Sequence, residues 1–379
     1  MDAPLQGLKV LDFTQNLPGP YATLMLASLG AEVVKVEPPK GDPGRWAKPL
    51  FAQLNRGKRS VVLDLRDEAS RPAVEALLGW ADVLVEGFRP GVMDRLGVGW
   101  EAAQAVNERL IYCSISAFGQ QGPRRDEPGH DLNLQALAGV CHLERDARDR
   151  PRGTALPVAD LSAAMAATTS ICAALAARGP DRPGRYLDVA MSDAVLSWSV
   201  LWSTGVDLAA PVRSSPVPEP LTRSLVDRLD RERLFALPHY GLFRCRDGRW
   251  LALGIVDERH FWEALCGAVG LRAFARVSLP ARILGGSALR GMLRAVFRTR
   301  DRATWLERLQ DAGVPATPVL APREAIDDAQ VRARGLVRGG DVRVPLPGAR
   351  IPAEDAPKLG EHTGAVLGAL GISLPPEGD

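Results

Sequence analysis

Leu8-Lys9-Val10-Leu11-Asp12-Phe13, then Gly19-Pro20, then Glu32-Val33-Val34-Lys35-Val36-Glu37: this opening stretch decides the fold. Two short apolar runs read as strands, and residues 21–29 between them read as a helix entered after Gly19-Pro20. The alternation continues. Residues 60–65, 82–86 and 110–114 read as further strands, and 71–80 has helical spacing, with Ser70 as the expected N-cap and Pro72 tolerated in the first turn. Strands separated by helices imply βαβ units and a parallel sheet covered on both faces. Such sheets bind ligands at the carboxyl ends of their strands, which directs attention to the turns after Phe13, Glu37, Glu86 and Ser116.

A second block begins near Gly129. Residues 160–177 are Ala-rich without Gly or Pro and read as a buried helix; 185–189 reads as a strand and 192–202 as a helix. Pro211, Pro216, Pro218 and Pro220, mixed with charges of both signs, then mark 204–232 as a linker or crossing segment. Beyond it, 239–245 and 249–253 read as strands joined at Arg246-Asp247-Gly248, followed by helices over 258–269, 288–297 and 302–312. The expected organisation is therefore α/β. A large Rossmann-like domain begins at 1–203, a smaller α+β domain spans 233–313, and 314–379 returns to the large domain with a short helix at 364–370.

The 379 residues carry a net charge of only +2, which gives no reason to expect nucleic acid as the main partner. No apolar run is read as approaching the roughly 20 residues of a membrane span. Met1-Asp2-Ala3-Pro4 lacks the layout of a secretion signal, so a cytoplasmic protein with no membrane partner is expected. Five scattered cysteines without a CxxC pair argue for small buried hydrophobes, not disulfides or zinc ligands, and no metal is expected.

Several segments, in order along nearly the whole chain, resemble the class III CoA-transferase family (CaiB/BaiF type), which also contains the α-methylacyl-CoA racemases. They are the opening strand with Gly19-Pro20, Gly30 to Pro38, Asn55-Arg56-Gly57-Lys58-Arg59-Ser60, and Ala81 to Glu86 running into Phe88-Arg89-Pro90-Gly91. Ser116-Ala117-Phe118-Gly119, Pro157-Val158-Ala159-Asp160, Leu187-Asp188-Val189 and Leu359-Gly360-Glu361-His362-Thr363 complete the set. The resemblance implies a Rossmann-like large domain built from both chain ends, a small domain, and an interlocked-ring homodimer. It also implies an acyl-CoA and a small carboxylic acid as substrates, with coenzyme A entering as a thioester and no tightly bound cofactor.

Asp160 matches the family's essential aspartate, which attacks an acyl-CoA thioester to give a mixed anhydride and then an enzyme-CoA thioester. On local sequence alone, an Asp before Leu161-Ser162-Ala163 reads first as an N-cap, and it is the family resemblance that favours catalysis. His130, in Gly129-His130-Asp131-Leu132-Asn133, resembles the motif of the racemase branch, where a His acts with a neighbouring carboxylate opposite the base that matches Asp160. Asp131 beside it is the accompanying candidate, and the bland alternative is a structural His–Asp pair. Asp257 or Glu258 occupies the place of a supporting acid, or simply of a helix-start acid favoured by the dipole. The tetraglycine loop of formyl- and oxalyl-CoA transferases is missing here. Two activities result: CoA transfer through Asp160, or racemisation with His130 and Asp160 as opposed bases. The context of Asp160 and the Asp257-Glu258-Arg259 run favour transfer; a non-catalytic CoA-binding protein is the minor alternative.

For CoA, the basic run Asn55, Arg56, Lys58 and Arg59 offers donors for phosphates, or is merely a solvated turn. Gly87, Phe88, Arg89 and Arg95 are further candidates, as is the turn Asn16-Leu17-Pro18 for adenine or pantetheine. The strand ending at Glu37 is followed by Pro38-Pro39 where transferases carry a basic residue, leaving Lys40 or Arg45 to substitute.

Overall fold

The computed structural model describes residues 3–144, 146, 150–179, 183–205, 207, 209–232 and 236–372. The chain divides into two compact units, residues 1–200 with 329–379, and 201–328.

In the first unit, strand β1 (Lys9–Phe13) leads through α1 (Pro18–Ser28) to β2 (Glu32–Glu37), and α2 (Lys48–Asn55) leads to β3 (Arg59–Val62). Helix α3 (Arg71–Trp80) precedes β4 (Val83–Glu86). The short α4 (Val92–Arg95) and α5 (Trp100–Val106) come before β5 (Ile111–Ser116). Helices α6 (Asp131–Leu137), α7 (Val140–Leu143) and α8 (Val158–Ala176) then lead to β6 (Arg185–Ala190), followed directly by α9 (Met191–Gly205).

The six strands form one parallel sheet in the order β3-β2-β1-β4-β5-β6. Alternation along each strand feeds two cores. Val10, Val33, Val83 and Cys113 pack with α1 and α8 on one face, whereas Leu11, Val34, Leu84 and Tyr112 pack with α3 on the other. Strand order reverses between β1 and β4, so a crevice opens there at the carboxyl ends. Helix α8 has 19 residues and is by length and composition long and apolar enough to cross a membrane, contrary to the expectation that no run approaches that length. Here its Ala163, Ala167 and Ile171 are buried in the sheet's core. Ser70 precedes α3 without a capping bond; Asp67 instead accepts from Ala69 N.

Residues 204–232 are not an irregular linker, for they contain α10 (Ala210–Arg213) and α11 (Glu219–Glu232). Pro211 and Pro220 sit where a missing N–H costs nothing, in the first turns, and Leu225, Val226 and Leu229 recur at helical spacing among the charges. In the second unit β7 (Tyr240–Arg244) and β8 (Trp250–Gly254) form the expected hairpin. Helices α12 (Arg259–Val269), α13 (Leu279–Leu284), α14 (Gly286–Phe297) and α15 (Arg302–Asp311) follow. Strand β9 (Ala316–Pro318) joins β8 antiparallel, and α16 (Pro322–Ile326) comes next, so the stretch after 313 still belongs to this unit. The reason is pairing: Leu253 opposite Ala316 completes a sheet face buried under Trp262, Phe297 and Trp305.

The chain then contributes α17 (Ala329–Ala333), the two-stranded β10 (Val337–Arg338) and β11 (Asp341–Val342), and α18 (Thr363–Ala369) to the first unit. Val366 and Leu367 bury against the sheet, while His362 Nδ1 and Thr363 Oγ1 accept Ser60 N and Val62 N along β3. The expected boundary at 233 and the tail 373–379 lie outside the described residues.

Candidate active site

The loop after β1 is ordered from beneath by buried charge. Asp12 Oδ1 accepts Thr14 N at 2.9 Å, and Lys35 Nζ donates to Thr14 O at 2.7 Å while pairing with Asp42 at 2.9 Å. Asp42 Oδ1 in turn accepts Asn16 N, which holds Asn16 in the left-handed region at φ 62°. Gly19 opens α1 against this loop; a Cβ there would lie 2.2 Å from Thr14 Cβ, so only glycine permits the approach.

A cavity of about 430 Å³ opens at the strand-order reversal. Asn16 and Pro18 after β1, Gly87, Phe88 and Arg89 after β4, and His130 and Asp160 line it together. Two of the residues proposed for chemistry and five proposed for CoA therefore share one cavity. Leu17 and Arg95 are not among its lining residues; Arg95 is exposed, with its guanidinium near Gly91.

Asp160 is the third residue of α8, not its N-cap; Pro157 holds that place without a side-chain capping bond. The cap comes from elsewhere. Asp131 Oδ1 accepts Ala159 N at 2.8 Å and Asp160 N at 3.3 Å, and its Oδ2 accepts Gln135 Nε2 at 2.5 Å. Asp131 thus faces the α8 N-terminus and is bonded there in a structural role. Burial pushes the Asp160 carboxyl up to about 7, and the Asp131 charge adds to the rise. His130 stands exposed at the N-cap of α6 and lines the same cavity.

The basic run is a correction. Lys58 Nζ is fully buried, pairs with Asp12 at 3.1 Å, and donates to Pro20 O, Thr23 Oγ1 and Asn55 Oδ1. Arg56 pairs with Asp341 and Asp355, and Arg59 with Glu32. Asn55 is buried, its Nδ2 donating to Phe51 O. Each of these side chains bonds within the protein, and none lines the cavity. From sequence, a run with Gly57 in its middle reads as an exposed turn; the fold turns Lys58 inward to neutralise Asp12. Asp257 and Glu258 lie in the second unit, where Glu258 precedes α12 and accepts Val256 N at 2.8 Å.

Sequence reasoning missed a second cavity of about 500 Å³ over the ends of β1, β2 and β3. Phe13, Val36, Leu65 and Phe88 give it apolar walls, and exposed Lys40 and Arg66 supply cations. It shares Gln15 and Phe88 with the first cavity. Of the two cations expected after β2, Lys40 lines this space, whereas Arg45 is held by Glu37 and stacks over Phe51. The signal available for Arg66 was its place just past a strand's carboxyl end. Gln15 and Arg125 of the first cavity were likewise missed.

These features are those of a Rossmann-like α/β protein with one cavity at the strand-order reversal, a second over the ends of β1, β2 and β3, and a half-buried carboxyl in the first. Residues 5–363 match CoA-transferase family III, and the chain belongs to that family of enzymes. The acetyl-CoA:oxalate CoA-transferase of Acetobacter aceti is 33% identical, over 96% of this chain and 95% of its own. The succinyl-CoA:mesaconate CoA-transferase of Haloarcula hispanica is 32% identical over 97% and 96%. A CaiB/BaiF family protein from Brucella suis superposes with a TM-score of 0.81 at 28% identity, covering 98% of this chain and 100% of its own.

Proposed function

We propose that the protein is an acyl-CoA:carboxylate CoA-transferase in which Asp160 is the nucleophile. The observation that carries this reading is the Asp160 carboxyl, raised to about 7 in a cavity that shares Gln15 and Phe88 with a second, cation-bearing one. Half ionised near neutrality and poorly solvated, it combines available nucleophile with low solvation. Its oxygen attacks the thioester carbonyl, the C–S bond breaks, and CoA leaves as thiolate from a mixed anhydride. The thiolate attacks the aspartyl carbonyl, releasing the donor acid and leaving an Asp160–CoA thioester. An incoming carboxylate attacks that thioester to form a second anhydride and free thiolate. The thiolate takes the new acyl group, and Asp160 is returned as carboxylate.

The CoA thioester is a substrate in this scheme, with no resident cofactor. Its phosphates meet Lys40 and Arg66 in the larger cavity, the adenine lies on the apolar walls, and the thiol arm runs past Gln15 and Phe88 toward Asp160. Leu196, Trp198 and Val200 of α9 and Met165 of α8 are exposed, which supports a homodimer that covers them. Five unpaired cysteines fit a reducing, cytoplasmic setting.

His130 beside Asp160 in one cavity keeps racemisation as the second reading. The separating experiment incubates the protein with a panel of acyl-CoA thioesters and carboxylic acids in D2O. New acyl-CoA formed from the added acid is the expected result. Deuterium at C2 of a 2-methylacyl-CoA, with no new thioester, would replace transfer with racemisation.

A further inference from the structure

Two loops wall the Asp160 cavity, residues 87–91 after β4 and 117–130 after β5, and a buried cluster beneath joins them. Glu86 ends β4 with only 4% of its surface exposed, and its Oε2 accepts Phe88 N at 2.7 Å. Ser114 lies directly opposite on β5, fully buried, and its hydroxyl bonds the Glu86 carboxyl. Gln120 Nε2 donates to the same hydroxyl at 2.9 Å, Tyr186 shares it, and Gln120 O accepts Arg125 Nε at 2.9 Å. Phe88 and Arg125 both line the cavity. One hydrogen-bonded path thus runs from Phe88 through Glu86, Ser114 and Gln120 to Arg125.

We propose that Glu86 is a positioning residue, a proton-sensitive clamp that makes the two loops order together around the ligand. Its effect on CoA binding rests on the transferase reading; the coupling of the loops does not, because it belongs to the unliganded chain.

The groups facing Glu86 make the clamp responsive near neutrality. Tyr112 and Cys113 come from β5, Tyr186 and Asp188 from β6, and Asp94 from α4. Arg89 and Glu101 line the cavity that the carboxyl itself borders. Among the described residues Glu86 makes no ion pair. Burial pushes its carboxyl up to about 7 and the Asp94 and Asp188 charges add to this, while Ser114 and the Phe88 N–H pull it down. An ionised carboxylate holds an amide donor more strongly than the neutral acid does, so the clamp tightens as pH rises through neutrality.

Hydrogen exchange of the unliganded full-length protein tests this, with rates corrected for intrinsic pH dependence. In the wild type, protection of Phe88 N–H is expected to rise about threefold or more from pH 6 to pH 8. Glu86→Gln keeps an acceptor and should lose that pH dependence. Glu86→Ala should speed exchange in 87–91 and also in 120–125. Ser114→Ala, which leaves Glu86 in place, should loosen 120–125 and serves if Glu86→Ala does not fold. Unchanged exchange over 120–125 in these variants, or retained pH dependence in Glu86→Gln, overturns the clamp. Free CoA is the second probe: Glu86→Ala should weaken its binding about tenfold. If the wild type does not bind CoA, the transferase reading fails, and the exchange data still decide the clamp.

Discussion

Asp12 and Asp160 are both carboxyls withdrawn from water in the first unit, and burial leaves them in opposite states. Asp12 has Lys58 and Lys35 beside it and hydroxyl donors from Thr14 and Thr23; these overcome desolvation and hold it far below the usual carboxylate range. Asp160 makes no ion pair among the described residues and meets Asp131 instead, so desolvation and a like charge raise it together. What separates the lowered carboxyl from the raised one here is the sign of its neighbour, not its burial.

The sharpest way to break the comparison is to neutralise each acid's environment in turn. Asp160→Asn should lower kcat by on the order of 10⁴-fold with the fold intact, measured on whichever thioester the wild type turns over. Lys58→Met removes the one cation that ion-pairs with buried Asp12 among the described residues, and should cost about 3 kcal/mol in denaturant unfolding, Lys35 and the Thr14 and Thr23 hydroxyls remaining. The acids also predict opposite pH dependences. Asp12, with its folded value lowered, contributes stability that is present above 3.8 and lost as pH falls through its folded value. Asp160, raised from 3.8 to about 7, contributes stability present below 3.8 and lost as pH rises toward 7. Asp160→Asn should therefore be more stable than wild type at pH 8 by about 2 kcal/mol, screening having reduced the about 4 kcal/mol that the full shift implies. In unfolding measurements that gain should vanish near pH 4.

Two smaller effects sharpen the contrast between consumed and available cations. Lys40→Ala and Arg66→Ala should each weaken CoA binding about tenfold by calorimetry, the loss of a charge-assisted contact. Arg59→Ala, which breaks only a partly exposed pair with Glu32, should change stability by about 0.5 kcal/mol and leave CoA binding within about twofold.

The strand-and-helix alternation made the sheet legible because period-2 apolar runs and helical spacing are local signals. The carboxyl ends named from sequence are where the cavities open. His130, Asp160 and the Gly87–Arg89 loop, picked out by motif, line one of those cavities together. Lys58 was not. Whether a lysine points to solvent or into a core depends on an acid 46 positions away in sequence, Asp12, and no local pattern records that pairing. Residues 204–232 misled for a related reason, because prolines at helix first turns look the same in a sequence as prolines in a linker. Asp131 was read as chemistry when its geometry is a cap supplied from another helix, 28 residues from the amide it holds.

Asp160 as the nucleophile is tested by peptide mass spectrometry of the protein incubated with acyl-CoA thioesters, each sample divided and one half treated with hydroxylamine. The expected result is a CoA-sized adduct on the peptide containing Asp160, removed by hydroxylamine and missing from Asp160→Asn. Turnover to new acyl-CoA with no adduct at Asp160, or with the adduct on another carboxyl, would contradict it.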